Sequence, residues 1–334
     1  MSTNIEGLIN RVYREYLEPN DDVQSFTYLT TAIDNTATSI VYNNTVITSE
    51  EEDAMSAGNF IEINRELMLI TAIDTASTTL TVMRGARGTD KDSHGINTLI
   101  KINPPFPRKN VFDAVADQIT NLYPTLYAVE TVETTSGTGY TLLGTYDSPG
   151  TNNYLVTPIK AISQYTDWSA GSDQTGLTFK GVAVEMIDLP NPFTYTDSTG
   201  TERTITYTSG PDVVHALQFS GIASGHTCYV TFKKKFVQPT AETDTLATIG
   251  LEDEYEPIIM AGVAAHMLSG RDIPAATTEF VTDQLGTANF PVGAASNIRN
   301  GLLSYQATLL EQAKKDLKAR YPEPVALNQI TYPS

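Results

Sequence analysis

The residues with the most chemical potential lie between 79 and 95, in TLTVMRGARGTDKDSHG. An apolar run ends in Arg84, Gly85, Arg87, Gly88 and Thr89; Asp90, Asp92 and His94 follow before Gly95. Glycines beside cations can cradle a phosphate, and acids beside a histidine can hold a metal or move a proton. A phosphate loop, however, needs a strand, a Gly-rich turn and then a helix whose N–H groups face the anion. Here the segment after the turn, TLIKI, alternates like a second strand. In a strand-turn-strand context Gly85 and Gly88 serve backbone conformations that other residues resist. Arg84 and Arg87 are expected to pair with local acids such as Glu66, Asp90 or Asp92, or with a neighbouring subunit. His94 is expected to close the excursion by hydrogen bonding.

The remaining candidates are weaker. The histidines are His94, His215, His226 and His266, and no HxH, HExxH or HxxxH spacing links them. His215 and His226 could face each other across strands but read as edge or turn residues. His266, on an Ala-rich helix, reads as a packing or interface residue. Cys228, the single cysteine, sits in the alternating run CYVTF and reads as a buried structural thiol. There is no GxSxG elbow and no P-loop, and SGTGYT at 136–141 does not complete GxGxxG. The acidic run SEEED at 49–53 lacks the spaced ligands and glycine of a calcium loop and reads as a solvated turn. Tyr165, Asp167 and Trp168 place aromatics beside a carboxylate, a pattern that can stack on sugars but equally anchors a sheet. The lone basic run, KKKF at 233–236, reads as an exposed strand end. No catalytic, cofactor or metal set is therefore assigned, and the chain is expected not to be an enzyme.

The elements that position these residues come from composition and period. The 334 residues are 40 % hydrophobic and only 18 % charged, a balance that supports a core rich in β-structure and turns. Acids outnumber bases 39 to 21, giving a net charge of −18. Such a chain repels nucleic acid and anionic membranes at long range. No apolar run approaches a membrane span, and the start lacks the pattern of a signal peptide.

At 6–17, Leu8, Ile9, Val12, Tyr16 and Leu17 share one helical face, and Pro19 stops the helix. From 24 to 102 the period changes to two, giving six short strands, with an echo between AIDNTATSI and AIDTASTTL. A helix at 111–124 follows, with Val111, Val115, Ile119 and Leu122 on one face. From 125 to about 238 the chain is again all β, with ten acids against three bases between Asn121 and Phe232 and with TYTDSTGTER read as a long polar turn. The last part is helical: one helix opens at 251–257 with Gly270 as C-cap, and one runs from a Ser296 cap to 321 with Ile298, Leu302, Tyr305, Leu309, Ala313 and Leu317 inward.

The helices flanking the β-segments are each too short to fold alone. The fold class read from this order is α+β. It is a short helical bundle of N-terminal, central and C-terminal helices with two inserted β-domains, a small β-barrel or sheet and a larger β-sandwich or jelly roll. The corresponding segments are 1–20 (helix), 21–107 (small β-domain), 108–124 (helix), 125–240 (β-sandwich), 241–321 (helices) and 322–334 (extended tail).

The pattern of Glu66, Met68, Val82, Arg84, Gly85, Gly88, Thr89, His94 and Gly95 resembles one seen in virion proteins of tailed bacteriophages. The segment LEDEYEPIIMAGVAAHMLSGRD with the long helix after it is similar to the helical core of head-to-tail adaptor (connector, neck or head-completion) proteins. The likeness covers roughly the first 120 and last 90 residues and omits the middle β-domain. It implies a homo-oligomeric ring, usually dodecameric, beneath the portal. Such a ring extends the DNA channel and docks downstream neck or tail proteins, without membrane contact. Packaged DNA passes through its lumen without specific binding. Localisation would be the head–tail junction of the virion, after assembly in the host cytoplasm. The tail, with Pro322, Pro324, Val325, Leu327, Ile330 and Tyr332, is expected to be ordered by a partner, in this family the portal. Two alternatives stay open: a tail-completion or other tail-proximal protein, and a carbohydrate-binding decoration or host-recognition protein using the middle sandwich.

Overall fold

The computed structural model describes residues 3–17, 25–48, 50, 54–135, 141–142, 155–166, 177–190, 193–196, 202–205, 213–220, 227–269 and 294–321, and for most of the strands between 141 and 220 the backbone alone. The chain is α+β and divides into two compact units: Met1–Ile119 with Gln238–Leu246 and Glu252–Leu309, and Thr120–Val237 with Ala247–Leu251 and Leu310–Ser334.

In the first unit, α1 (Ile5–Val12) begins at Asn4, whose side chain accepts the Gly7 N–H at 2.8 Å. That bond satisfies one of the orphan donors of the first turn. Ile5, Leu8, Ile9 and Val12 recur at helical spacing and are all buried. The helix then widens into a π-helical turn, Tyr13–Leu17, with Tyr13, Tyr16 and Leu17 also buried. The Tyr13 hydroxyl donates to the Phe106 carbonyl at 2.7 Å. Burial, with help from Glu15 and Tyr305, pushes the Tyr16 hydroxyl up to about 12.

Six strands follow: β1 (Phe26–Tyr28), β2 (Ser39–Val41), β3 (Phe60–Ile63), β4 (Glu66–Asp74), β5 (Thr79–Met83) and β6 (Leu99–Ile102). They form an antiparallel sheet in the order β1-β6-β3-β4-β5-β2. The two outer strands then meet. Leu29 bridges Tyr42, the Thr30 N–H donates to the Val41 carbonyl at 3.0 Å, and the Asn43 N–H donates to the Tyr28 carbonyl at 2.9 Å. The sheet thus curls onto itself and pairs backbone groups that an open sheet leaves exposed. Period-two alternation turns Ile61, Ile63, Met68, Ile70, Leu80, Val82, Ile100 and Ile102 into one core. A bulge at Thr71 shifts the pairing from Ile70↔Val82 to Ala72↔Thr81, a device that bends a strand.

The two echoed turns share a mechanism. The Asp34 carboxylate accepts the Thr36 hydroxyl and the Thr36 and Ala37 N–H groups, each at 2.8 Å. The Asp74 carboxylate accepts the Ser77 hydroxyl and the Ala76 and Ser77 N–H groups. Both are Asx-type turns in which the side chain replaces a backbone partner. The side-chain bond from Thr36, then the backbone N–H groups, holds Asp34 below the usual carboxylate range; the Ser77 hydroxyl does the same for Asp74.

α2 (Arg108–Asn121) begins three residues earlier than periodicity suggested, directly after Pro107. The first backbone N–H of the helix, that of Arg108, is satisfied by the Glu62 carboxylate, and the Arg108 side chain is tied down as well. Its Nε lies 3.0 Å from the Glu242 carboxylate, its Nη2 2.6 Å from the same group and its Nη1 2.9 Å from Asn10 Oδ1. Burial alone would lower the Arg108 pKa, but the hydrogen bonds and charge of Glu242 raise it above its ordinary value. In the second unit the sheet order is β7-β14-β9-β10-β13-β8, with a separate hairpin. The strands are β7 (Ala128–Thr135), β8 (Thr141–Leu142), β9 (Leu155–Thr166), β10 (Leu177–Pro190), β11 (Phe193–Thr196), β12 (Glu202–Ile205), β13 (Val213–Ser220) and β14 (Thr227–Lys234). The first half of β10 pairs with β9 and the second half with β13, changing partner between Val182 and Ala183. The stretch TYTDSTGTER is not one long turn: Tyr195 pairs with Arg203 and Thr196 with Glu202 between β11 and β12. In β14 Cys228, Val230 and Phe232 are buried, as alternation requires.

α3 (Leu246–Ile249) is a single turn. α4 (Glu256–Met267) belongs to the first unit and is buried almost all round, which marks a central helix. It ends at Met267 with Leu268 as its cap, so Gly270, outside the described residues, is not the terminating position. α5 (Ala294–Arg320) starts before Ser296, which is therefore not its cap. Ile298, Leu302 and Leu317 are buried, whereas Tyr305, expected inward, is 41 % exposed.

Candidate functional site

Alternation on two neighbouring strands builds the site. Leu80 and Val82 of β5 face the core of the curled sheet, and Arg84 continues their row; Glu66 opens the matching row of Met68 and Ile70 on β4. The guanidinium meets the carboxylate side-on, Nε to Oε1 and Nη2 to Oε2, both at 2.6 Å. Glu66 also accepts the Gly85 N–H at 3.2 Å, the Asp92 N–H at 3.1 Å and His94 Nε2 at 3.0 Å. The remaining Arg84 donors reach the carbonyls of Asp34 (2.8 Å), Ala37 (3.0 Å) and Asp92. His94 Nδ1 stands 3.3 Å from Asn64 Nδ2, so the neutral tautomer with a proton on Nε2 satisfies both ring nitrogens. The His94 backbone bridges Ile33 in both directions.

The backbone of the excursion follows from its glycines. Gly85 and Gly88 sit at φ 67° and 79°, the first capping and the second ending a 3₁₀ turn at Ala86–Gly88. A Cβ on Gly85 would also stand 3.0 Å from the Thr89 carbonyl. Arg87 occupies the left-handed region too, at φ 53°; its guanidinium lies over the Phe60 ring at 4.5 Å, and among the described residues no acid pairs with it. The Thr89 hydroxyl accepts the Leu67 N–H at 3.1 Å and donates to the Ala86 carbonyl at 2.9 Å. Gly95 shows no left-handed φ; its carbonyl accepts the Thr98 hydroxyl at 2.6 Å.

Glu66, Arg84 and His94 are all buried. Every guanidinium N–H has an acceptor, and both carboxylate oxygens are occupied by donors. A phosphate, metal or substrate could enter only by breaking bonds that hold three loops together. The cluster is a staple, and its chemistry is mechanical. Burial is the largest influence on Glu66 and would raise its pKa; the bonds from Arg84, Asp92 and His94 together outweigh it and hold the carboxyl below the usual carboxylate range. A depressed folded-state pKa contributes stability above the unfolded value that is lost as pH falls through the folded one. Thermal melts are therefore expected to be flat with respect to Glu66 above about pH 5.5 and to fall below about pH 4.5. The slope of Glu66→Gln over that window should be shallower than that of the parent.

The other candidates are placed as follows. His266 is exposed near the end of α4. The His215 backbone pairs with Asp188 in the β10–β13 register, and that of Tyr165 with Thr178. His226, Asp167, Trp168, most of 49–53 and the tail residues Pro322, Pro324, Val325, Leu327, Ile330 and Tyr332 lie outside the described residues. The basic run has partners in its own unit: Lys233 lies over Tyr127 at 4.9 Å, Lys234 bonds Glu130 at 2.5 Å, and Lys235 lies over Tyr123 at 5.4 Å. Among the described residues no group of three or more His, Cys, Asp or Glu is placed to hold a metal ion, and no helix is long and apolar enough to cross a membrane.

Sequence reasoning missed two arrangements in the first unit. One is the Arg108–Glu242–Asn10 cluster. The other lies on α4, where Gln306 Nε2 donates to Gln118 Oε1 at 2.9 Å and to the Ile258 carbonyl at 3.2 Å, directly over Gly262. The one available signal was a glycine inside an otherwise apolar helix, which often marks close packing. No protein-family model matches the chain, and no curated protein matches its sequence.

Proposed function

We propose that the chain is a structural virion protein of a tailed bacteriophage: a head-to-tail adaptor that forms a ring beneath the portal, extends the DNA channel and docks tail components. The observation that carries the proposal is the saturated Glu66–Arg84–His94 staple. The strand end on which the phage resemblance rests uses Arg84 and His94, with Glu66, to hold the curled sheet in shape, as a scaffold protein requires. The net charge of −18 fits a wall past which DNA slides without sticking. In this reading the helices α1, α2, α4 and α5 form one bundle into which the two β-domains are inserted. Portal and downstream neck proteins are the partners, and the head–tail junction of the virion is the location. Native mass spectrometry of the purified chain tests the copy number: a dodecamer is expected. A hexamer would favour a tail-completion role instead, and a monomer at all concentrations would count against both.

A further inference from the structure

Residues 240–246, TAETDTL, run across the start of α1, and a short antiparallel ladder joins the two. The Ile5 N–H donates to the Asp244 carbonyl at 2.9 Å, the Glu6 N–H to the Glu242 carbonyl at 2.9 Å and the Leu246 N–H to the Thr3 carbonyl at 3.0 Å, while Asn4 bridges Thr245. Two of the N–H groups that the first turn of a helix leaves without a partner are thus taken up by this segment. The Asp244 carboxylate folds the segment itself, accepting the Thr240 and Ala241 N–H groups at 2.8 and 2.9 Å.

One carboxylate pins the ladder to the rest of the first unit. Glu242 receives Arg108 Nε at 3.0 Å and Nη2 at 2.6 Å, and Arg65 Nε stands 3.6 Å from it. Arg108 goes on to Asn10 of α1 through its Nη1, and to Glu62 of β3 through its backbone N–H. Arg65, in the turn between β3 and β4, lies over the Phe112 ring at 4.1 Å. Apolar burial adds little here: none of the residues from Thr240 to Thr245 is buried. On α1 the reverse holds, with Ile5, Leu8, Ile9 and Val12 fully buried. Segments held by exposed polar bonds, with few buried apolar contacts, open at low free-energy cost, and lids are drawn from them.

We infer that residues 240–246 are a releasable strap, closed over the start of α1 by the Glu242–Arg108 clasp and opening as one unit while the curled sheet stays folded. Opening frees the Ile5 and Glu6 N–H groups and uncovers the guanidinium groups of Arg65 and Arg108. In the chain the strap stands between stretches assigned to the second unit, up to Val237 and from Ala247. A rearrangement of those stretches therefore reaches α1 through the strap. Its contacts lie within one copy, so the strap stands apart from the ring reading.

The test is hydrogen exchange of the full chain, resolved to single amides by mass spectrometry, for the parent and for Glu242→Ala. In the parent the amides of Ile5, Glu6, Ala241 and Leu246 are expected to exchange faster than those of Ile70, Val82 and His94, which are bonded within the curled sheet. In the variant the first four should speed up together, by about tenfold or more, with the other three unchanged. Should Glu242→Ala not fold, Arg108→Lys keeps the charge, loses the two-pronged contact and carries the same expectation. Strap amides that are unmoved in a folded variant overturn the inference. So does a parent in which they are protected as strongly as Ile70, Val82 and His94, or a variant in which all seven speed up alike.

Discussion

Glu66→Ala is expected to lower the stability of the first unit by about 3–5 kcal/mol, the cost of leaving a buried charge without its partner. The substitution strands the Arg84 Nε and one Nη2 bond, the Gly85 and Asp92 N–H groups and His94 Nε2 together. Arg84 cannot swing into water, because its Nη1 is tied to the carbonyls of Asp34 and Ala37. Chemical denaturation followed by tryptophan-independent probes, such as far-ultraviolet circular dichroism, reads the loss. Removing both charges as Glu66→Leu/Arg84→Met should cost less than Glu66→Ala alone, since the unpaired ion is then gone. It should still fall short of the parent, because the three loop carbonyls lose their donor. A Glu66→Ala variant as stable as the parent would mean that the cluster is not a staple.

Gly262→Ala is the second large effect, and its sign depends on two other residues. A Cβ at Gly262 would lie 2.2 Å from both Gln118 Oε1 and Gln306 Nε2. The amides must then separate, losing a half-buried bond between α2 and α5 and crowding a close-packed helix. A destabilisation of about 1–3 kcal/mol is expected from overpacking of this kind. In the background Gln118→Ala/Gln306→Ala the obstruction is absent. There the same substitution should instead gain up to about 1 kcal/mol, the ordinary helix preference for Ala over Gly. A cost that persists in that background would show that the glycine is required by something other than the amide bridge.

What was legible in the sequence was local. Alternation in FIEI, ELMLITAID and TLTVM located these strands, because a period of two is written in adjacent residues, and left Glu66 as one of three local acids that could meet Arg84. The Asp34 and Asp74 turns were legible for the same reason, since each carboxylate bonds residues two and three positions on. The contacts that were not legible join distant positions. Arg108 and Glu242 are 134 residues apart, Gln118 and Gln306 188, and Arg11 and Glu256 245. The lysines at 233–235 looked like a bare strand end because Tyr123, Tyr127 and Glu130 lie about a hundred residues earlier. Tyr305 was assigned inward because it fits the helical stripe, but the stripe of α5 is only partly covered and the ring lies at its margin. Helix ends shifted by a few residues for a similar reason: the first N–H of α2, at Arg108, is taken up by Glu62, 46 residues earlier, which periodicity does not see.

The candidate site shows how the same residues can suggest two chemistries. Read in one dimension, Arg-Gly-x-x-Gly with acids and a histidine suggests anion binding or catalysis. In three dimensions Gly85 and Gly88 provide left-handed turns, and Glu66, Arg84 and His94 close on one another while Arg87, Asp90 and Asp92 stay exposed. The functional reading therefore moves from the loop to the surfaces that the stapled barrel holds out.

Electron microscopy of the purified chain mixed with the portal protein of the same virus tests the adaptor proposal most directly. Closed rings of this chain seated coaxially on the tail-facing end of the portal, with an open channel through both, are expected. A field of separate monomers beside undecorated portals would contradict the proposal.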